Sequence, residues 1–226
     1  MTKSSKTPFF LGGCGCLSVL LGLVLLGAWF ATDRASQWMS SSMEGAGLVS
    51  HYTNSPEGLT GALAEYYVGF EFDYPMSWTL KPQDPGSSNY VSVERSLGDS
   101  TCENFNVGYF QTTGSMEGNR ILYPVLISQL QAQFEQQFPG LNKVDEGETT
   151  IGSYEGWHAL FSASVGDGSE QSEVFMRTVL LPTPDGTRGV AIIMMGTDAC
   201  SDISRPADLG VTGELPVIVN SFRFAE

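Results

Sequence analysis

The chain has 226 residues and predicts a layered α+β domain behind one membrane-spanning helix. Three observations carry that expectation. Residues 7–32 contain no Asp, Glu, Lys or Arg, later stretches alternate apolar and polar side chains, and one stretch of helical period stands among them. Strands joined by hairpins, with one long mid-chain helix and one at the end, imply a mainly antiparallel sheet.

Composition excludes several classes. With 13 Phe, 8 Tyr and 4 Trp, the chain has the aromatic area that offsets conformational entropy, so it is not disordered throughout. Acidic residues number 25 against 11 basic ones, a net charge of −14, which argues against a nucleic-acid partner. Four cysteines are too few for a disulfide-built miniprotein.

The first element is the apolar stretch, read as a transmembrane helix over 8–31 behind a short cytoplasmic N-terminus, 1–7. A helix of about 24 residues spans about 36 Å, against about 30 Å of hydrocarbon. The stretch exceeds the apolar run of a cleaved signal peptide, and bulky Trp29 and Leu26 spoil the small-x-small sites ending at Ala31 and Ala28. Leu11-Gly12-Gly13-Cys14 imitates a lipobox, but the main apolar run follows Cys14 instead of preceding it. The segment is therefore a retained anchor. Lys3 and Lys6 precede it and Arg34 follows beside Asp33, so the N-terminus stays inside and residues 33–226 are exported. Gly12/Cys16 and Ser18/Gly22 set small residues four apart, a spacing that permits self-association of spans.

Beyond the span the sequence holds nine basic and 25 acidic residues, a net of −16, which keeps it off anionic headgroups and in solution. Cys102 and Cys200 are the only cysteines there. In an oxidising compartment such a pair favours one disulfide closing a long loop, worth about 4–5 kcal/mol in the chain-entropy model. Two free thiols or a metal pair are the alternatives, and no His/Cys cluster accompanies either cysteine.

Residues 32–59, rich in Ser, Gly and Met, read as a membrane-proximal tether, and 60–226 as the folded domain. Phe70, Phe72 and Tyr74 alternate with Glu71 and Asp73 in a strand that Pro75 ends. Tyr90–Val93, Phe105–Tyr109 and Trp157–Val165 follow, then Glu173–Leu181 and Gly189–Gly196 around a Pro-Thr-Pro-Asp-Gly-Thr turn. Val190–Met195 is apolar on both faces and predicts a central strand. Val125, Leu126, Leu130, Phe134 and Phe138 form the stripe of a helix over 123–138, with Pro124 in its first turn and Pro139-Gly140 as its stop. A shorter helix covers 214–222.

Gly69–Leu80, GFEFDYPMSWTL, is similar to the opening strand and Tyr-Pro-x-x-Trp turn of the Mog1/PsbP-like superfamily. Asn220-Ser221-Phe222-Arg223-Phe224 resembles that group's ending, where a last helix delivers a Ser-Phe pair to the sheet. Phe70, Phe72, Tyr74, Pro75, Trp78, Ser221 and Phe222 carry the likeness, which would cover 60–226. It implies an α/β/α sandwich around an antiparallel sheet and a generally non-catalytic docking role, on a photosystem in one branch and a small GTPase in another. Some members bind divalent cations. None of their contact residues transfers to this chain, and its anchor departs from the plant and yeast members.

The residues show little sign of catalysis. His51 falls in the tether, and His158 lies on a strand opposite the aromatic face without an identifiable partner. No G-x-S-x-G, HExxH, P-loop or G-x-G-x-x-G occurs. Asp145-Glu146-x-Glu148 and Asp198…Asp202…Asp208 lack EF-hand spacing and read as solvated acidic loops. The expectation is a non-enzymatic envelope interaction module, single-pass and without cofactor or metal, whose partner is an envelope protein. The alternative is an apolar-ligand or lipid carrier using the Phe and Met residues between sheet and helix.

Overall fold

The computed structural model describes residues 47–81, 87–98, 100–166 and 171–225. The expected span at 8–31, its small-residue pairs and the 32–46 part of the tether lie outside the described residues. Among the described residues no helix is long and apolar enough to cross a membrane.

The elements in chain order are β1 (Val49–Thr53), α1 (Gly61–Glu65), β2 (Phe70–Pro75), β3 (Thr79–Leu80), β4 (Asn89–Leu97) and β5 (Ser100–Tyr109). Helix α2 (Met116–Gln137) and strands β6 (Asn142–Ile151), β7 (Tyr154–Val165), β8 (Ser172–Pro182) and β9 (Gly189–Thr197) follow. A 3-10 turn at Pro206–Asp208, α3 (Leu215–Ser221) and β10 (Arg223–Phe224) end the chain. A seven-stranded sheet runs β3-β4-β5-β9-β8-β7-β6, and a separate three-stranded sheet runs β1-β2-β10. All pairings within them are antiparallel. The strand of Phe70 and Phe72 thus belongs to the small sheet, not to the large one.

Strand β9 is the fourth of seven, and its nine residues are all buried. Val190, Ile192 and Met194 face one core, and Ala191, Ile193 and Met195 face the other. A strand covered on both faces calls for apolar side chains on both, as Val190–Met195 provides. The first core packs Phe70, Phe72, Leu215, Ile218 and Phe222 onto Phe105, Val107, Val179 and Ile192. The second packs Tyr123, Ile127, Leu130, Phe134 and Phe138 onto Phe161, Met176, Leu180 and Ile193. The layers are α2, the large sheet, then the small sheet with α1 and α3. Aromatic and Met side chains fill the space between sheet and helix, where the apolar-ligand alternative places its pocket.

Helix α2 departs from expectation at its start and on one face. Ser115 caps it, accepting from the Gly118 N–H at 3.2 Å, eight residues before Tyr123. Pro124 therefore lies inside the helix, where it deprives the Arg120 carbonyl of its i+4 amide. The buried stripe runs through Tyr123, Ile127, Leu130 and Phe134, while Val125 is 52% exposed. At the other end Gly140 takes φ +87°, a left-handed conformation that suits the stop after Pro139.

Two strands fall where the sequence reads as loop or tether. Strand β6 carries Asp145, Glu146 and Glu148, which are therefore strand residues rather than loop residues. It is one of the two edges of the large sheet among the described residues, and its acidic charges with a register shift between Lys143 and Asp145 discourage pairing with a second copy of itself. Strand β1 lies within the expected tether and pairs with β2 from Val49↔Pro75 to Thr53↔Glu71.

Candidate functional site

The residues of the two sequence motifs meet in space. Phe222 stacks on Phe70 at 5.6 Å between centroids, and Phe72 meets Phe105 of the large sheet edge-on at 5.3 Å. Tyr74 contacts Phe72 edge-on from the rim of that core. Pro75 closes β2, and its carbonyl accepts the Trp78 amide at 2.9 Å. The Trp78 indole donates to Glu214 just before α3, also at 2.9 Å. Ser221 receives the Asp73 N–H at 2.8 Å. These residues build the first core and its seam with α3. Cys102 and Cys200 form a disulfide with S–S 2.05 Å and a separation of 98 residues.

The two histidines occupy contrasting settings. His51, on β1 and not in a tether, places Nδ1 2.7 Å from Asp73 and Nε2 3.3 Å from Glu71. Its pKa is raised, chiefly by the hydrogen bond to Asp73. His158 is half-buried on β7, with Nε2 3.8 Å from Asp145. Its pKa is lowered by burial first and the Arg177 charge second. Its Nδ1 has no hydrogen-bond partner among the described residues, so no triad-like relay forms through it. Arg177 is committed to structure: it donates to the Leu209 carbonyl at 2.9 Å and to Thr149 Oγ1 at 3.1 Å.

Two acidic side chains of the segment between β9 and α3, Asp198 and Asp208, are also engaged. Asp198 accepts the Glu173 N–H at 2.9 Å, and Asp208 accepts from Ser204 and Arg205. Among the described residues no group of three His, Cys, Asp or Glu side chains is placed to hold a metal ion.

A half-open groove of about 430 Å³ lies where the start of α2 crosses the β6–β7 hairpin. Asn119, fully buried, fixes that helix start: it accepts from the Thr113 N–H at 2.7 Å and donates to the Gly186 carbonyl at 3.0 Å. Arg120 beside it, Tyr123 one turn on and Met116 line the groove. Arg120 reaches Glu155 at 3.1 Å and Glu148 at 3.8 Å. Tyr123 stacks on Trp157 at 6.0 Å, and the Trp157 indole donates to Glu146 at 3.0 Å. Glu146 is further paired with Lys143 at 2.6 Å. The Tyr123 ring is 2% exposed, and burial pushes its pKa up to about 12. Its hydroxyl has no hydrogen-bond partner among the described residues. A buried polar group left so is costly.

Of these residues only Glu146 and Glu148 stood out in the sequence, as part of an acidic cluster read as a solvated loop and not as a site with Arg120 and Trp157. The groove residues come from three elements brought together only by tertiary packing, and no short spacing links them. Chemically the groove offers one cation, two exposed carboxylates and the partly exposed Trp157 ring over buried Tyr123. That is equipment for binding.

No protein-family model matches the sequence, and no curated protein matches it. Comparison with solved structures finds LpqN of Mycobacterium tuberculosis, described as involved in cell envelope biogenesis, at 12% identity and TM-score 0.45, over 80% of this chain and 94% of that one. It also finds the Ran-binding protein Mog1p of Saccharomyces cerevisiae at 12% identity and TM-score 0.42, over 68% and 89%. The structural neighbours include a Mog1 protein. A protein from Bacteroides thetaiotaomicron matches at 12% identity and TM-score 0.40, over 70% of this chain but only 45% of its own length. All three are likenesses of chain path.

Proposed function

We propose that the chain is a membrane-anchored, extracytoplasmic, non-catalytic module that docks on an envelope protein complex. The observation that carries the reading is where the described surface is concave. Buried apolar side chains cover both faces of the central strands of the large sheet, and the groove is half-open, charged and aromatic, built to take a partner's side chains. The uncharged stretch at 8–31 and the Cys102–Cys200 bridge support an exported, tethered setting. Cross-linking in intact cells, followed by mass spectrometry of the purified full chain, tests it. A recurrent envelope protein cross-linked to 47–225 is the expected result. Cross-links confined to the chain itself would overturn the reading.

A further inference from the structure

We propose that the groove beside α2 receives an arginine side chain from a basic segment of the docking partner. This deepens the docking reading above and rests on it.

Charge selects the occupant. Among the described residues Arg120 is the only cation lining the groove, and it already faces Glu148 and Glu155. An incoming anion would have to displace those carboxylates and would meet Glu146 close by, beside Trp157. An incoming guanidinium instead takes one carboxylate and leaves Arg120 the other, so two cations then face two anions. Trp157, only partly buried, supplies a ring face that attracts a planar cation. Arginine suits the site better than lysine, because its planar fork both stacks and engages carboxylates in pairs.

The segment also has somewhere to lie. Strand β6 ends the large sheet, and from Asp145 to Ile151 it pairs with β7 in unbroken register. Its outer edge beside the groove has no strand neighbour among the described residues, so an extended chain can add there. The exported part, with nine basic against 25 acidic residues, favours a basic partner at long range.

The test uses the detergent-solubilised full chain and a short blocked peptide of alternating glycine and arginine, titrated by calorimetry at physiological salt. Saturable binding is expected, with no binding of the glycine–glutamate counterpart. The Glu148→Gln/Glu155→Gln variant should weaken binding about tenfold or more, a change of about 1.4 kcal/mol or more. Glu57→Gln/Glu135→Gln changes the same net charge at exposed positions outside the groove lining and should leave affinity unaltered. Equal weakening by that control pair would show diffuse attraction to an acidic surface and overturn the site. So would unchanged affinity in the Glu148/Glu155 variant, or a lysine peptide binding as tightly as arginine. An envelope partner cross-linked only at a surface away from α2 would sink the groove and spare the docking reading. Tight arginine-peptide binding without any envelope partner would do the reverse.

Discussion

Ser221 holds Asp73 across 148 residues of chain: its Oγ accepts the Asp73 N–H at 2.8 Å and donates to the Val217 carbonyl at 2.7 Å. Strand β10 pairs with β2 only at Glu71 and Phe70. Ser221 therefore supplies the acceptor that a longer β10 would have given, and it pins the last helix turn to the small sheet. Removing a hydroxyl while its partner stays buried costs the donor's desolvation, about 1–2 kcal/mol. Ser221→Ala should lower urea stability by that amount, and Asn220→Ala, at an exposed neighbour, should leave it nearly unchanged.

The disulfide joins neighbouring central strands at one end. Cys102 lies on β5, and Cys200 follows β9 just past the Glu103↔Gly196 pairing. Closing a loop of 98 residues restricts the unfolded chain, so Cys102→Ser/Cys200→Ser should cost about 4 kcal/mol in chemical denaturation. A cost below about 1 kcal/mol would contradict that entropy argument.

The two histidines should separate in an NMR titration. His51 is expected to titrate above 6.5, and Asp73→Asn should bring it down, because the hydrogen bond to Asp73 is the main cause of its shift. His158 should titrate below 6.5, since burial and Arg177 disfavour its charged form. The linkage signs are opposite. The unfolded chain protonates His158 first, so its effect on stability worsens as pH falls below 6.5. His51 stabilises below 6.5 and loses that contribution as pH rises through its folded value; being 46% exposed, its effect is small.

Glu103 sits on β5 with a fully buried side chain, neither oxygen accepting a hydrogen bond among the described residues. Arg95 stands 3.4 Å away and is shared with Glu214 at 3.6 Å. Burial raises the Glu103 pKa, more than Arg95 lowers it. A carboxyl raised in the folded state binds protons there more tightly, so stability falls as pH rises from the ordinary carboxylate range through the raised value. Glu103→Gln removes that loss and leaves Arg95 its other partner. The variant should melt higher than the parent at pH 7 and show a flatter pH profile; a lower melting temperature would mean that the Arg95 pair outweighs desolvation.

Much of this architecture is legible in the residues. The alternation of Phe70 and Phe72, the hairpin between β8 and β9, and the doubly apolar Val190–Met195 all mark buried strands, because burial writes a period into the sequence. The unlegible parts are those where burial is weak. Strand β6, NKVDEGETTI, lies at an edge, mostly exposed, and carries charges that prevent aggregation, so its pattern resembles a loop. Helix α2 was harder to phase because Ile121 and Val125 lie on its exposed side while Pro124, a usual first-turn residue, stands inside it. The groove is a further step removed, since Arg120, Glu148, Glu155 and Trp157 converge only once α2 crosses the hairpin.

The central claim is that a disulfide-locked acidic domain is held outside the reducing cytoplasm by its apolar leader. The most direct measurement traps thiols by acid and alkylation in intact cells, separates membranes, and maps the chain's peptides without reduction. The account predicts a membrane-bound chain that retains residues 8–31 and yields a joined Cys102–Cys200 peptide. Soluble material with both sulfurs alkylated would contradict it.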